Sequence, residues 1–174
     1  MIQSSRLAFA ALLLLLSPAC RSEPARALAQ APCGQPQPSR DEPGAPQTGL
    51  EIVPLEIRGA GKVHKFRVEI AATSEQQQIG MMFRESVGGQ EGMIFPFPRP
   101  RPASFWMRNT RIPLDIIFVR ADGTIARIAA NAKPFCLDSV SVDEPVAAVL
   151  EIGGGRAAAL GVSEGDRVIW PVTR

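Results

Sequence analysis

The chain has 174 residues, which suits one domain with appended segments better than two domains. Its formal net charge of +2 at pH 7 indicates neither a nucleic-acid partner nor an acidic substrate. Hydrophobic residues make up 45% of the chain, which is enough for a packed core.

The first twenty residues have the pattern of an export signal. Arg6 precedes an apolar run from Leu7 to Leu16, and small residues follow before Cys20. The run is shorter than the roughly 20 residues that a membrane-spanning helix needs. We therefore predict a signal peptide over residues 1–19 and a protein that is exported to the periplasm or the cell envelope.

The signal offers two cleavage sites. The sequence Ser17-Pro18-Ala19-Cys20 resembles a bacterial lipoprotein signal, in which Cys20 becomes the lipidated first residue. It departs from that pattern because Leu16 lies four residues before the cysteine, not three. Ala27-Leu28-Ala29 is a second site, of the A-x-A type. The first route gives a lipid anchor as the protein's membrane attachment, and the second gives a soluble periplasmic or secreted protein.

Residues 20–49 are rich in proline and have no apolar periodicity, which predicts a disordered tether. Residues 50–174 are then one β-rich globular domain. Cys33 in the tether and Cys136 in the domain form a candidate disulfide, since exported compartments permit such bonds. The alternative is two unpaired thiols, with Cys136 buried.

The first half of the domain predicts strands and one helix. Leu50–Ile57 is apolar with one proline, which suits an edge strand. Alternation over residues 64–70 predicts a half-buried strand. Ser74 and Gln77 have the spacing of a capping box, which predicts a short helix to about Met82.

The second half continues the pattern of short strands. Met93–Phe95 is a strand candidate, and four prolines between residues 96 and 102 predict a stiff extended loop. Asp122-Gly123 joins two apolar runs into a predicted hairpin. Further strands are predicted over residues 105–107, 146–152 and 167–170, with one helical turn over residues 156–160. These signals predict a mainly β, compact sandwich- or barrel-like domain with one or two short helices.

Several segments of the domain match a known family in the same order. The segments are Val68–Ala71, Gly80–Arg84, Glu91–Phe95, Phe105–Thr110, Ile112–Phe118, Val149–Glu151, Gly161 and Gly165-Asp166. On these motifs, residues 52–174 resemble the bacterial and archaeal family catalogued as domain of unknown function 192, with Met81 where leucine is commoner. The resemblance implies a compact, mainly β fold, often behind an export signal, and it implies no reaction.

Two carboxyl groups stand inside apolar strands. Asp115 and Glu151 are each flanked by hydrophobic residues, and a buried carboxylate is costly unless it is hydrogen-bonded or paired. One interpretation is an acid–base pair of a hydrolase or lyase that acts on an envelope saccharide. The other is that each carboxyl holds a loop by accepting bonds from backbone N–H groups.

The main functional hypothesis is an envelope module that binds a ligand or a protein partner. Its candidate face carries Arg84, Trp106, Asn109 and Asp115, with Glu151 as a further candidate. Asn109 can donate to a ligand or shape a turn, and Trp106 can stack on a ligand or pack in the core. We predict a monomer with no cofactor and no nucleic-acid partner.

A third hypothesis is a soft-metal site. Apart from Met1, all methionines lie between positions 81 and 107, and His64 is the only histidine. Thioethers with an imidazole suit Cu(I). Methionine also fills irregular cores, and no spacing ties the histidine to the weak candidates, which are Met81, Met82, Met93 and Met107.

Overall fold

The computed structural model describes residues 44–171, which form seven strands and two short helices. The elements are β1 Ile52–Gly59, β2 Lys62–Ile70, α1 Ser74–Ile79, β3 Glu91–Phe105, β4 Leu114–Val119, β5 Ile125–Ala132, β6 Val140–Gly153, α2 Arg156–Leu160 and β7 Arg167–Ile169. The mainly β fold with two short helices is confirmed. The predicted signal peptide, Cys20 and Cys33 lie outside the described residues. Neither helix of this part of the chain has the length to cross a membrane.

All seven strands belong to one curled sheet, in the order β5-β4-β6-β3-β2-β1-β7. Only β2 and β3 are parallel; the other paired strands are antiparallel. The two ends of the sheet approach each other, because Thr124 before β5 bridges Arg167 of β7. The Ile125 N–H also donates to the Asp166 carbonyl at 2.8 Å. The fold is therefore barrel-like, with one sheet curled on itself.

The sheet separates two hydrophobic cores. The inner core takes residues from all seven strands and so fills the curl: Leu55, Phe66, Ile94, Ile117, Ile125, Leu150 and Val168 are members. The outer core lies on the other face of β3, β4 and β6, beneath the loops that follow α1 and β3, and includes Met81, Met93, Phe95, Met107, Ile116 and Phe118. Because side chains alternate along a strand, each of these three strands contributes residues to both cores.

The proline-rich segment was predicted to be a loop, and this prediction is wrong. It lies within β3, a strand of 15 residues that pairs with β6. The pairing register shifts between Pro96 and Arg101 and again before Ala103. Prolines are tolerated there because an irregular stretch needs no regular ladder of backbone donors. β3 therefore pairs with β6 both before and after the irregular stretch.

The local sequence signals predicted the turns correctly but placed the start of α1 one residue too late. The N-cap of α1 is Thr73, whose partner in the capping box is Gln76, one residue before the predicted pair. The helix ends at Ile79 because Gly80 follows as C-cap. The hairpin between β4 and β5 and the helical turn α2, closed by Gly161 at φ 74°, are confirmed.

Gly92 permits the close approach of β3 and β6, and we expect Gly92→Ala to destabilise the fold by about 1–3 kcal/mol, the range for overpacking. A Cβ at this position would lie 2.4 Å from the backbone oxygen of Glu151, which cannot move without breaking the ladder. Gly153→Ala is the matched control, since its Cβ would meet only Val87 at 3.4 Å. Chemical denaturation measures both variants; equal midpoints would contradict the prediction.

Candidate functional site

Glu151 lies in the middle of the sheet with its side chain in the outer core. On β6 it is paired with Met93 of β3 and Ile116 of β4, both fully buried members of that core. The residue is only 4% exposed. An acid at such a position loses almost all of its hydration, so its protonation state depends on what surrounds it.

The Glu151 side chain lines a pocket of about 440 Å³. Much of the wall is aromatic or thioether in character, from Met81, Met82, Phe95, Phe105 and Trp106. Much of the remaining lining is polar, including Thr110 and residues of α1, and among the described lining residues Arg101 is the only cation. The lining is therefore mixed, with aromatic and thioether side chains beside polar groups, and a concave site that combines the two can hold and orient a small molecule.

Glu151 is a neutral acid at pH 7. Burial raises the pKa of its carboxyl group to about 8, and the positive charge of Arg84 opposes this shift only in part. Within residues 44–171, no side chain or backbone N–H hydrogen-bonds to the carboxyl group, and no cation forms an ion pair with it. The pocket therefore contains a protonated carboxyl group that has a hydrogen-bond donor and acceptor available for a ligand.

Arg84 lies behind Glu151 and is engaged elsewhere. Its Nη2 donates to the carboxylate of Glu69, with which it forms a half-buried ion pair, and lies 3.4 Å from the Gln47 carbonyl. Glu69 is in register with Met93 on the neighbouring strand and so lies in the same row as Glu151. Arg84 is thus paired with Glu69 and makes no hydrogen bond to Glu151. Its positive charge acts on the Glu151 carboxyl group only through space. Its Nε is buried and has no hydrogen-bond partner among the described residues.

Two loops that carry residues of the pocket wall are joined by an unusual backbone contact. Phe83 and Asn109 both have left-handed backbone conformations, with φ of 64° and 53°. The Phe83 N–H donates to the Asn109 carbonyl at 2.8 Å. Asparagine tolerates this conformation better than most residues, so the structure gives Asn109 a role in loop shape. It is not among the residues that line the pocket.

Trp106 stands at the rim of the pocket and is 49% exposed. The Arg108 guanidinium lies 5.9 Å from its ring centroid, and Arg101 stacks over Phe97 at 4.0 Å. Such contacts hold cationic side chains beside aromatic surface. The rim therefore combines an exposed indole with positive charge.

Asp115 does not belong to this site, which corrects the predicted carboxyl pair. It is adjacent in sequence to Ile116 and faces the opposite side of the sheet from Glu151. Its two carboxyl oxygens accept bonds from the backbone N–H groups of Asn131 (2.7 Å), Gly155 (2.8 Å) and Ala157 (2.7 Å). Asp115 therefore ties the start of α2 to the sheet, and an acid–base mechanism that uses Asp115 and Glu151 together is wrong.

The structure also separates the residues of the predicted copper site. Met81, Met93 and Met107 are buried in the outer core, and Met82 lines the pocket. His64 shares its strand face with Phe66 and Val68 of the inner core, so the sheet lies between the imidazole and the thioethers. Among residues 44–171, no three His, Cys, Asp or Glu side chains form a cluster suited to a metal ion. The mixed thioether–imidazole site is therefore wrong.

Cys136 is disulfide-bonded and 8% exposed. Its carbonyl accepts from the Met107 N–H at 2.9 Å, which places it under the loop that carries Trp106. The predicted partner, Cys33, lies outside the described residues, so the Cys33–Cys136 pairing stays a prediction. The lipidation of Cys20 stays a prediction for the same reason.

Sequence reasoning missed two residues around Glu151. Gln47 falls in the predicted tether, yet its amide donates to the carbonyls of Gln76 (3.1 Å) and Gly80 (2.9 Å) and to the Met93 sulfur (3.7 Å). Glu69 lies in the strand predicted over residues 64–70, and it forms an ion pair with Arg84. No local pattern distinguishes these side chains from solvated ones, because each owes its position to contacts distant in sequence.

Comparison with known proteins gives a family match over most of the described chain. The family model DUF192, described as "Uncharacterized ACR", matches residues 55–170. No curated protein matches the chain.

Two crystal structures are similar in sequence and in fold. A protein of unknown function from Novosphingobium aromaticivorans is 46% identical, with a TM-score of 0.70, over 79% of this chain and 100% of that one. A protein from Sinorhizobium meliloti that is called a putative transcription regulator is 38% identical, with a TM-score of 0.69, over 71% of this chain and 97% of that one.

Proposed function

The chain belongs to the DUF192 family, and we propose that it is an exported protein of the cell envelope that binds a small organic ligand in the pocket lined by Glu151 and Trp106. The observation that carries the proposal is the buried, unpaired carboxyl group of Glu151 at a concave, aromatic-lined surface. Export rests on the apolar run before Cys20.

Binding is favoured over catalysis by the composition of the pocket. Among residues 44–171, Glu151 is the only carboxyl group that lines it, and no histidine, cysteine or lysine of this part of the chain does so. A lone acid can donate one proton but has no second group to act as base or nucleophile. A hydrolase or lyase at this site would therefore need a substrate that supplies the missing group.

The description of the Sinorhizobium relative suggests a second candidate, a transcription regulator. Helix-turn-helix proteins read DNA by placing a helix in the major groove. The two helices of residues 44–171 have six and five residues, and the formal charge of the whole chain is +2. These features favour small-molecule binding over DNA binding for the described domain.

Native mass spectrometry of protein purified gently from its own host tests the proposal. We expect a bound small molecule that leaves on denaturation, and a Trp106→Ala variant that retains at least about tenfold less of it, as expected for loss of a stacking surface. Val63→Ala is the control, because Val63 is 52% exposed and lies outside the pocket. Wild-type protein without a bound molecule, or equal retention by both variants, would refute ligand binding at this pocket.

The same spectra test export. We expect a mature chain that begins at a lipid-modified Cys20 or at Gln30. A mass that includes Met1 and the complete apolar run would contradict export while leaving the binding result intact.

A further inference from the structure

Positive charge predominates around the pocket. Arg101 lines the pocket, and Arg84 is close enough to Glu151 to oppose the shift of its pKa. Glu69, the other acid in the same row of the sheet, is paired with Arg84. With Glu151 protonated, no carboxylate among the described lining residues balances the positive charge of Arg101.

This arrangement discriminates between ligands of different charge. An anion would be attracted by Arg101 and would meet a neutral Glu151, whose O–H can donate to it. A cation would be repelled by the arginine and would gain an ionic partner only by ionising Glu151 in its desolvated position, where burial opposes ionisation. A hydrogen bond to an anionic acceptor is also roughly twice as strong as one between neutral groups.

We infer that the pocket takes an organic carboxylate with an apolar body, whose anionic oxygen accepts a hydrogen bond from the Glu151 carboxyl group while Arg101 supplies the counter-charge. The apolar body lies against Phe95, Phe105 and Trp106. This inference rests on the proposed function and specifies its ligand class. The binding step exchanges no covalent bond and needs no other reactant.

Three probes of similar shape test which ligand charge the pocket prefers. They are 4-phenylbutyrate, 4-phenylbutanamide and 4-phenylbutylamine, titrated into the folded protein while the Trp106 indole N–H is followed by NMR. At about pH 6.5 we expect the carboxylate to bind at least about tenfold more tightly than the amide, and the amine to bind least. Arg101→Gln should weaken the carboxylate about fivefold and leave the amide unchanged. Arg99→Gln, an exposed arginine outside the pocket, should change neither.

The pH dependence tests the role of Glu151. Wild-type affinity for 4-phenylbutyrate should fall at least about tenfold between about pH 6.5 and about pH 9, because the carboxyl group ionises at about pH 8 and then repels the probe. In Glu151→Gln the amide N–H donates at every pH, so we expect affinity within about threefold of wild type at about pH 6.5 and no fall at about pH 9.

The outcomes separate the two proposals. Tightest binding of the amine, equal binding of amide and carboxylate, or the same pH dependence in wild type and Glu151→Gln would overturn the carboxylate inference while the pocket remains a binding site. If no probe shifts the Trp106 signal up to about 10 mM, weaker than the usual range of specific small ligands, the inference and the proposed binding function both fail.

Discussion

Replacing Asp115 by alanine is expected to lower the free energy of unfolding by about 3–6 kcal/mol. The substitution leaves three backbone N–H groups without an acceptor, and each unsatisfied buried donor costs about 1–3 kcal/mol. Asp115 is fully buried, so water does not reach the site readily. The loss is comparable with the total stability of many domains, about 5–15 kcal/mol, and calorimetry should show a fall in Tm of more than about 10 °C.

Two further variants make this prediction specific. Asp115→Asn keeps the oxygen that accepts from Asn131 and Gly155 but turns an N–H₂ group toward the Ala157 N–H, so we expect an intermediate loss of about 2–3 kcal/mol. Asp143→Ala removes an exposed carboxylate and should change stability by less than about 0.5 kcal/mol. An Asp115→Ala protein with the Tm of Asp143→Ala would show that Asp115 does not hold α2.

The second large effect is a dependence of stability on pH that comes from Glu151. Its pKa in the folded protein, about 8, lies above the reference value of 4.5 for an unfolded chain. Between these values the folded state holds a proton that the unfolded state has released, so raising the pH favours unfolding. The penalty is absent below about pH 4.5 and complete above about pH 8, where it reaches on the order of 4–5 kcal/mol at about 1.4 kcal/mol for each pH unit.

Glu151→Gln should remove this dependence. The variant has no proton to release, so we expect its free energy of unfolding to exceed that of the wild type by an amount that grows from about pH 5 to about pH 8 and then levels off. Urea denaturation across this range measures the difference. Glu51→Gln, a substitution at an exposed glutamate, is the control and should follow the wild-type curve. Parallel curves for wild type and Glu151→Gln would mean that Glu151 titrates normally.

Alternation and turn chemistry carried most of the fold prediction. The β4–β5 hairpin followed from Asp122-Gly123, and α2 followed from a short apolar turn before Gly161. Local reasoning failed at the prolines of β3, because proline disfavours a regular ladder but is acceptable where the register shifts. The partner strand β6 determines that register, and it lies about 50 residues further along the chain.

For the candidate site, the sequence supplied several of the right residue types and only part of their grouping. Glu151 was singled out because a carboxyl group flanked by apolar residues is costly unless it is paired, and Trp106 because an aromatic side chain can stack on a ligand. Asp115 satisfied the same criterion as Glu151 and yet has a structural role. The difference between them is the set of partners across the sheet, and no property of the flanking residues reveals it.

The amino-acid pattern alone was sufficient for the class of fold, most of the turns and the family, since these depend on short-range periodicity and on ordered motifs. The curl of the sheet decided the rest. It placed Asp115 against the N-terminus of α2, and it buried Glu151 at a pocket that Trp106 also lines, near Arg84. It also put His64 on the other side of the sheet from the methionines. Which side chains meet, and what their pKa values become, depends on strand register and burial, and these arise only when distant segments pack together.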